Sequence, residues 1–176
     1  MLKRESRLLG LSGTAVNDKI IIASVVFRGS LWLDGVAAKI IPTAQEEYHI
    51  GITNLVKSSK QFSQLHAIII SKRLTLNWPL SLRELARAVK LPVVAIYSHS
   101  HQTARRRHGV ERFALPISGG YVTASIAGTD KDQAEKLYAI GCSPHNKVPE
   151  AVRIADLFVE ELRCNLNRNF TTPNPK

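Results

Sequence analysis

Three polar residues follow an apolar run in the middle of the chain, and their side chains could take part in binding or catalysis. Residues 67–70 are all apolar, and Ser71, Lys72 and Arg73 come directly after them. In α/β proteins the side chains just beyond such a strand line the working edge of the sheet. A metal-dependent nuclease would carry carboxylates there, because Mg²⁺ prefers oxygen ligands and activates water. A hydroxyl and two cations instead favour contact with phosphate groups.

A second candidate group lies in the segment YSHSHQTARRRHGVER, residues 97–112. His99 and His101 are two residues apart, so on a strand they share one face. The basic run that follows consists of Arg105, Arg106 and Arg107. Guanidinium groups bind phosphate through paired hydrogen bonds, and imidazoles donate to phosphate or stack on bases. A solvated loop is one alternative, and a zinc site is another, because His108 supplies a third histidine, but no fourth ligand has zinc-site spacing. We therefore predict nucleic-acid contacts here and no bound metal.

The charge of the chain is concentrated around both groups. The 176 residues have a formal net charge of +10. Residues 57–112 alone contain eleven basic and two acidic residues, which leaves a net charge of +9. A basic excess confined to one segment is typical of a face that binds polyanions, since neutralising phosphates releases counterions. A merely soluble basic surface is the alternative. The segment predicts nucleic acid as a partner.

Length and composition are those of one globular domain. Apolar residues make up 44% of the chain, and we expect a single domain over residues 1–165 with a flexible tail over 166–176. No apolar run approaches the ~20 residues of a membrane span, and the N-terminus lacks the apolar centre of a secretion signal. Cys142 and Cys164 form no metal motif. A cytoplasmic protein with two reduced cysteines is therefore expected.

The first sixty residues predict a meander of three strands and then a helix. The apolar runs RLLGL, KIIIASVVF and LWLDGVAAKII are separated by a polar turn over residues 12–18 and by a tight turn after Arg28. Thr43 stands at an N-cap position, with Glu46 three residues on as its capping-box partner. The helix is expected to run to about Ser58 with Ile50 facing inward.

Strand and helix signals then alternate along the rest of the chain. HAIII predicts a buried strand, and Ser81 with Glu84 predicts the start of a second helix. LPVVAIY and YVTASIAG predict two more strands, and helices are expected from about Asp130 and from Pro149, the last with Leu157 facing inward. Three antiparallel strands followed by strand–helix–strand units predict an α/β fold. The specific expectation is a ribonuclease H-like mixed sheet with helices on both faces.

Several of these segments together resemble a known family. GLSGTAV, FRGSLWLDGV, QFSQLHAIIIS, LPVVAIYS, YVTASIAG and VPEAVRIADLFVEEL occur in an order and spacing similar to an archaeal family of unknown-function proteins related to endonuclease V, also described as deoxyuridine endonuclease-like. The resemblance covers about residues 7–162 and implies a ribonuclease H-like fold. Endonuclease V cuts DNA or RNA near a deaminated base, using divalent metal held by carboxylates.

The two central metal-binding positions depart from the family pattern. The family's Gly-Ile-Asp-Asp corresponds to residues 10–13, which places Ser12 at the first metal-binding acid. The family's Asp-Gly at the end of the central strand corresponds to Ser71 and Lys72. A hydroxyl does not replace the charge of a carboxylate on Mg²⁺, and Lys72 opposes cation binding. The resemblance therefore implies a degenerate catalytic centre and no cofactor.

Three residual acids keep a catalytic alternative open. Asp156, in RIAD, matches a carboxylate near the endonuclease V centre, and Asp34, in WLDG, matches an acidic position of the family. Glu46 lies near the place of another active-site acid. A rearranged site built from them would need Mg²⁺ or Mn²⁺. The structural alternatives are an ion pair of Asp156 with Arg153 or Lys72, a turn at Asp34 and a helix cap at Glu46.

Two further residues after the central strand have a binding and a structural interpretation. Asn77, expected in a loop, matches an asparagine of the family and could contact a base or shape the turn. Trp78 could stack on a base or anchor the second helix. The sequence thus predicts a nucleic-acid-binding protein on an eroded endonuclease V-like fold. An active metal-dependent endonuclease acting at deaminated bases and a protein-interaction module are the alternatives.

Overall fold

The computed structural model describes residues 3–78, 80–98, 112–117 and 120–171. The strands are β1 (Arg7–Val16), β2 (Lys19–Arg28), β3 (Trp32–Pro42), β4 (Leu65–Ile70), β5 (Val93–Ser98), β6 (Phe113–Ile117) and β7 (Gly120–Ala127). The α-helices are α1 (Gln45–Lys57), α2 (Lys72–Asn77), α3 (Leu82–Val89), α4 (Lys131–Gly141) and α5 (Glu150–Thr171). All seven strands form one sheet in the order β3-β2-β1-β4-β5-β7-β6.

The first three strands form the predicted antiparallel meander. β1 pairs with β2 and β2 pairs with β3, so β3 is an outer strand of the sheet. The β-branched run in β2 is buried from Ile20 to Phe27, because helices cover both faces of this strand. The prediction of a polar turn over residues 12–18 is wrong in extent. β1 continues to Val16, and the turn needs only two residues because Asn17 adopts a left-handed φ of 55°.

The middle of the sheet is parallel, and this arrangement sets up the site. β4 pairs in parallel with β1, with Leu11 beside Ile70, and β5 pairs in parallel with β4. β7 is antiparallel to β5, and β6, which the sequence did not predict, pairs with β7 at the other side of the sheet. The carboxyl ends of β1, β4 and β5 therefore meet at one edge. This mixed sheet confirms the predicted fold class.

Helices cover both faces of the sheet. α1 and α3 pack on one face, where the apolar residues of α3 form a core cluster with β4 and β5. α4 and α5 pack on the opposite face, around Leu137, Tyr138 and Val152. The start of α5 lies very close to β1, because a Cβ added at Gly10 would meet the carbonyl carbon and oxygen of Ala151 at 2.3 Å. Glycine at this position lets the helix approach the strand.

Several local predictions about the helices need correction. Ala44, not Thr43, is the N-cap of α1, and the Thr43 hydroxyl donates to the backbone carbonyl of Asp18 instead. Ile50 and Leu157, both predicted to face inward, are 61% and 57% exposed, since the buried positions of α1 and α5 lie on other sides of those helices. Ser81 does cap α3, accepting from the backbone N–H of Glu84, as predicted.

The helical boundaries also differ from expectation at two places. Asn77 is the last residue of α2, a short helix that replaces the predicted loop after β4. α5 continues to Thr171, so its backbone is helical over the first residues of the expected tail. Residues 172–176 lie outside the described part of the chain. Within the described part, no helix has the length and hydropathy needed to span a membrane.

Candidate functional site

The two serines at the degenerate positions and Asp156 form one cluster at the carboxyl edge of the sheet. Ser12 lies in β1, and Ser71 follows β4 directly, held there by a hydrogen bond from its N–H to the Leu11 carbonyl. The Ser12 hydroxyl donates to Asp156 Oδ1 at 2.5 Å, and the Ser71 hydroxyl donates to the same oxygen at 2.6 Å. Both serines are 0% exposed. The structure thus brings together three of the predicted site residues.

Asp156 reaches this edge because of how α5 packs on β1 and β2. Ala151 and Ala155 are buried against Val25 and Phe27, so the helix sits close to the strands. Asp156 comes one residue after Ala155, and its side chain therefore leans to one side of the helix rather than into the core. That side is the one toward the end of β4, where Ser71 lies.

The Asp156 carboxylate finds its hydrogen-bond donors within the protein. Two hydroxyls donate to one carboxylate oxygen, and the Arg73 guanidinium approaches the same oxygen at 3.9 Å. Asp156 therefore pairs with Ser12, Ser71 and Arg73, while Arg153 pairs with Glu150 instead. The alternative in which Asp156 forms an ion pair with Arg153 or Lys72 is wrong in its partners, because the cation beside Asp156 is Arg73.

The donor set does not fit a magnesium ion. Mg²⁺ takes carboxylate and water oxygens in octahedral geometry, whereas this cluster offers one carboxylate whose oxygen already accepts two hydrogen bonds. The neighbouring guanidinium would repel a cation. Across residues 3–78, 80–98, 112–117 and 120–171, no three His, Cys, Asp or Glu side chains group together in a way that could hold a metal.

Arg73 links this cluster to the outer side of α5. Its NH1 donates to Glu160 Oε2 at 2.8 Å, and Glu160 is also hydrogen-bonded by Arg163. The hydrogen bonds from Arg163 and then Arg73 lower the pKa of Glu160 to about 2. Arg73 keeps 42% of its side chain exposed, so its guanidinium is held by two acids yet remains open to solvent.

The other candidate residues in and directly after α2 differ in their exposure and contacts. Lys72 is exposed at the first position of the helix and can reach an anion in solution. Asn77 donates from its side chain to the Arg73 carbonyl at 2.6 Å, which supports the turn-shaping interpretation. Trp78 is partly buried against the core beneath α1 and α3, which supports the packing interpretation over base stacking.

Asp34 lies away from this cluster. It is paired with Arg7 at 2.7 Å and with Arg28 at 3.1 Å. Burial opposes its ionised form, but the hydrogen bonds from Arg28 and Arg7 outweigh burial and hold the pKa of Asp34 below its usual value. Arg7 precedes Ser12 by five residues on β1, a separation of roughly 17 Å. The structure therefore does not bring Asp34 to the candidate site.

Several other candidates lie outside what the structure describes. Glu46 is in the first turn of α1, and its side chain is outside the described part. The same holds for His99, His101 and the run 105–107. Arg112, at the end of that segment, stacks its guanidinium 4.1 Å from the centre of the Tyr97 ring on β5. One cation of the segment thus lies beside the carboxyl end of the strand next to β4.

The basic segment does not form one continuous face. Lys57 and Lys60 precede β4, whereas Lys72 and Arg73 follow it, and the six residues of β4 separate the two pairs by about 20 Å. Lys90, at the end of α3, lies just before β5 begins and so at the same edge as Lys57. The prediction of a single polyanion-binding face over residues 57–112 is therefore wrong for these cations.

Sequence reasoning missed the ion pairs around Arg73 and the bonds between both serines and Asp156. The sequence did contain a signal for the bonds between the serines and Asp156. Ser12, in the middle of β1, and Ser71, directly after β4, lie on neighbouring parallel strands, and Asp156 lies on the helix that covers them, so these three buried or partly buried polar groups had to satisfy one another. No comparable signal pointed to Glu160, whose side chain is partly exposed on α5.

The chain is similar in sequence to archaeal proteins. It is 25% identical over 178 residues to a UPF0215 protein of Methanosarcina acetivorans, a match that covers 89% of this chain and 90% of that protein. It is 26% identical to a UPF0215 protein of Methanosarcina mazei, with 95% of each chain covered. No family model matches the chain.

Solved structures share the fold at low sequence identity. A protein of unknown function from Archaeoglobus fulgidus aligns with a TM-score of 0.70 at 18% identity, over 89% of this chain and 97% of that one. Human ENDOV aligns with a TM-score of 0.66 at 13% identity, over 92% of this chain and 86% of that one. An Argonaute of Marinitoga piezophila, in complex with guide RNA, aligns with a TM-score of 0.55 at 9% identity, over 90% of this chain and 30% of the Argonaute. By sequence the chain is thus similar to the UPF0215 proteins of Methanosarcina, and its fold is the ribonuclease H-like fold of endonuclease V.

Proposed function

We propose that this protein binds nucleic acid at the carboxyl edge of its sheet and does not cleave it with a metal ion. The observation that carries the proposal is the cluster of Ser12, Ser71 and Asp156, in which both serine hydroxyls donate to the one carboxylate. A nuclease site in which two carboxylates hold a metal ion needs the carboxylate oxygens free to bind that metal. Here the cluster holds one carboxylate, and its Oδ1 already accepts both hydrogen bonds from the serines.

The charges at this edge support phosphate as the ligand. Lys72 is exposed, and Arg73 keeps 42% of its side chain in contact with solvent. Arg112 stands over Tyr97 at the end of the next strand. Cations at the ends of adjacent strands can contact successive phosphates of a nucleic-acid backbone that crosses this edge. Each such contact adds to the binding affinity whatever the base sequence.

The endonuclease alternative has less support. It requires Asp34 and Glu46 to join Asp156 around a metal, and Asp34 is paired with Arg7 and Arg28 at the opposite edge. The structural likeness to endonuclease V concerns the fold, which hosts several activities. We therefore infer that the metal-binding carboxylates have been replaced, with Ser12 and Ser71 in their positions.

Salt-dependent binding to a labelled oligonucleotide tests the proposal. For the wild type we expect affinity to fall steeply with salt, because released counterions drive binding. Arg73→Gln should weaken binding and reduce the slope of log affinity against log salt by about 1. Arg87→Gln is the matched control, since it removes one exposed arginine from the last turn of α3, away from the cluster.

Three outcomes would contradict the proposal. Binding that is weak and insensitive to salt would favour a protein-interaction module. Equal effects of the two arginine variants would place the contacts elsewhere on the surface. Cleavage of the oligonucleotide in Mg²⁺ or Mn²⁺ would restore the nuclease alternative.

A further inference from the structure

An apolar strip runs along one face of the outer strand β3. Its members are Leu33, Val36, Ala38 and Ile40, whose partners on β2 are the odd-numbered residues 21–27. Cross-strand partners share a face of the sheet, and residues 25 and 27 pack against α5. The strip therefore lies on the α5 side, and its larger side chains are 43–54% exposed.

No described helix packs extensively on this strip, and no described strand pairs with the outer edge of β3; near its start, the Gln61 side chain donates to the Asp34 carbonyl. α5 packs mainly on β1 and β2, and α1 packs on the other face of β3. Within the described part of the chain, β3 has β2 as its neighbour on one side and no strand on the other. An exposed apolar outer strand with free backbone groups is a template for another strand.

The strip contains no charged residue, which excludes a polyanion as its partner. Asp34 interrupts it as a bulged residue but is already paired with Arg7 and Arg28. Lys39 alternates with the strip and so lies on the opposite face. The chain has a net charge of +10, but the strip itself contains none of its basic residues.

The order of side-chain sizes makes the strip complementary to itself. Val36, Ala38 and Ile40 read branched, small, branched in either direction along the strand. An antiparallel pair about a two-fold axis through Ala38 would place Val36 of one copy opposite Ile40 of the other, with the two alanines facing each other. Such a self-complementary patch is the condition for an isologous dimer.

We propose that β3 is the interface of a homodimer, in which the β3 strands of two copies pair antiparallel through residues 35–41 and join the sheets into one. Within residues 35–41, the apolar side chains of Val36 and Ile40 are 43% and 48% exposed, so in the dimer they would be covered by the partner's strand.

Sedimentation velocity of the full chain over a wide concentration range tests the dimer. The wild type should sediment as a dimer, and Ile40→Lys should sediment as a monomer, because two lysines would face the apolar strip without partners. Leu76→Lys is the matched control, since Leu76 is 60% exposed on α2, away from β3, and it should remain dimeric. A monomeric wild type, or a dimer that survives Ile40→Lys, would overturn the proposal.

A cysteine pair tests the register without disturbing the fold. Ala38→Cys should form an intermolecular disulfide on mild oxidation, since directly opposite Cβ atoms lie about 4.5–5.5 Å apart and a small local shift brings them to the ~3.5–4.5 Å of a disulfide. Ala37→Cys, also exposed, would sit diagonally at about 7–8 Å from its counterpart and should link poorly. Equal linking of both variants, or none above the level given by Cys142 and Cys164, would contradict the pairing.

Discussion

Substituting alanine for Asp156 should destabilise the fold even though the residue lies at the surface edge of α5. Its Oδ1 accepts hydrogen bonds from Ser12 and Ser71, which are both 0% exposed. Asp156→Ala would leave two buried hydroxyl donors without this acceptor. The cost comes mainly from the desolvated groups left behind, not from the lost aspartate itself.

The magnitude follows from the two hydrogen bonds and from solvent access. A hydrogen bond to a charged group contributes about 1.5–3 kcal/mol. Asp156 is 26% exposed, so water can satisfy part of what the carboxylate leaves. We expect a loss of about 3 kcal/mol in the free energy of unfolding for Asp156→Ala. Asp156→Asn keeps an oxygen acceptor without the charge and should lose about 1 kcal/mol.

Urea unfolding of a small set of variants measures this effect. The free energy of unfolding should fall in the order wild type, Asp156→Asn, Asp156→Ala. Adding Ser12→Ala to Asp156→Ala should recover about 1 kcal/mol, because one orphaned hydroxyl is then gone; Ser71 is left in place, because its hydroxyl also caps α2 by accepting from the backbone N–H of Arg73. A neutral or stabilising Asp156→Ala would refute the reasoning, since that result is typical of an acid kept for function at a cost in stability.

Three further predictions concern α5 and its contacts. Glu160→Gln removes an anion that holds the Arg73 guanidinium and should tighten oligonucleotide binding several-fold in anisotropy titrations, whereas Glu161→Gln on the next position should not. The Glu160 carboxyl should titrate near pH 2 by NMR, because the hydrogen bonds from Arg163 and Arg73 lower its pKa. The stabilisation from these pairs is fully present above the ordinary carboxyl pKa of 4.5, and it is lost as the pH falls through about 2. Gly10→Ala should cost about 3 kcal/mol in urea unfolding, because the new methyl would meet backbone atoms of α5 at 2.3 Å; a cost near zero would show that the helix can move away.

The fold could be predicted because its strands carry strong local patterns. The β-branched run of β2 and the apolar run of β4 each indicate a buried strand, and Ser81 with Glu84 marks the start of α3. The helix faces were harder to predict. Ile50 and Leu157 are apolar but exposed, since which side of a helix is buried depends on the strands beneath it and not on hydrophobicity alone.

The site could be predicted only in part. The resemblance pointed to Ser12, Ser71 and Asp156, and the structure brings these together. Net charge along the chain could not reveal that β4 separates Lys60 from Lys72, because that separation depends on the direction of the strand. Nor could it reveal that Asp34 serves the opposite edge, where β3 returns beside Arg28.

The most direct test of metal-free nucleic-acid binding uses one labelled oligonucleotide containing a deaminated base. Its anisotropy is titrated with protein in Mg²⁺ and in EDTA, and its length is then read on a denaturing gel. We predict the same affinity in both solutions, a loss of binding at high salt, and an intact oligonucleotide after binding. Cleavage that occurs only with Mg²⁺, or no binding in either solution, would contradict it.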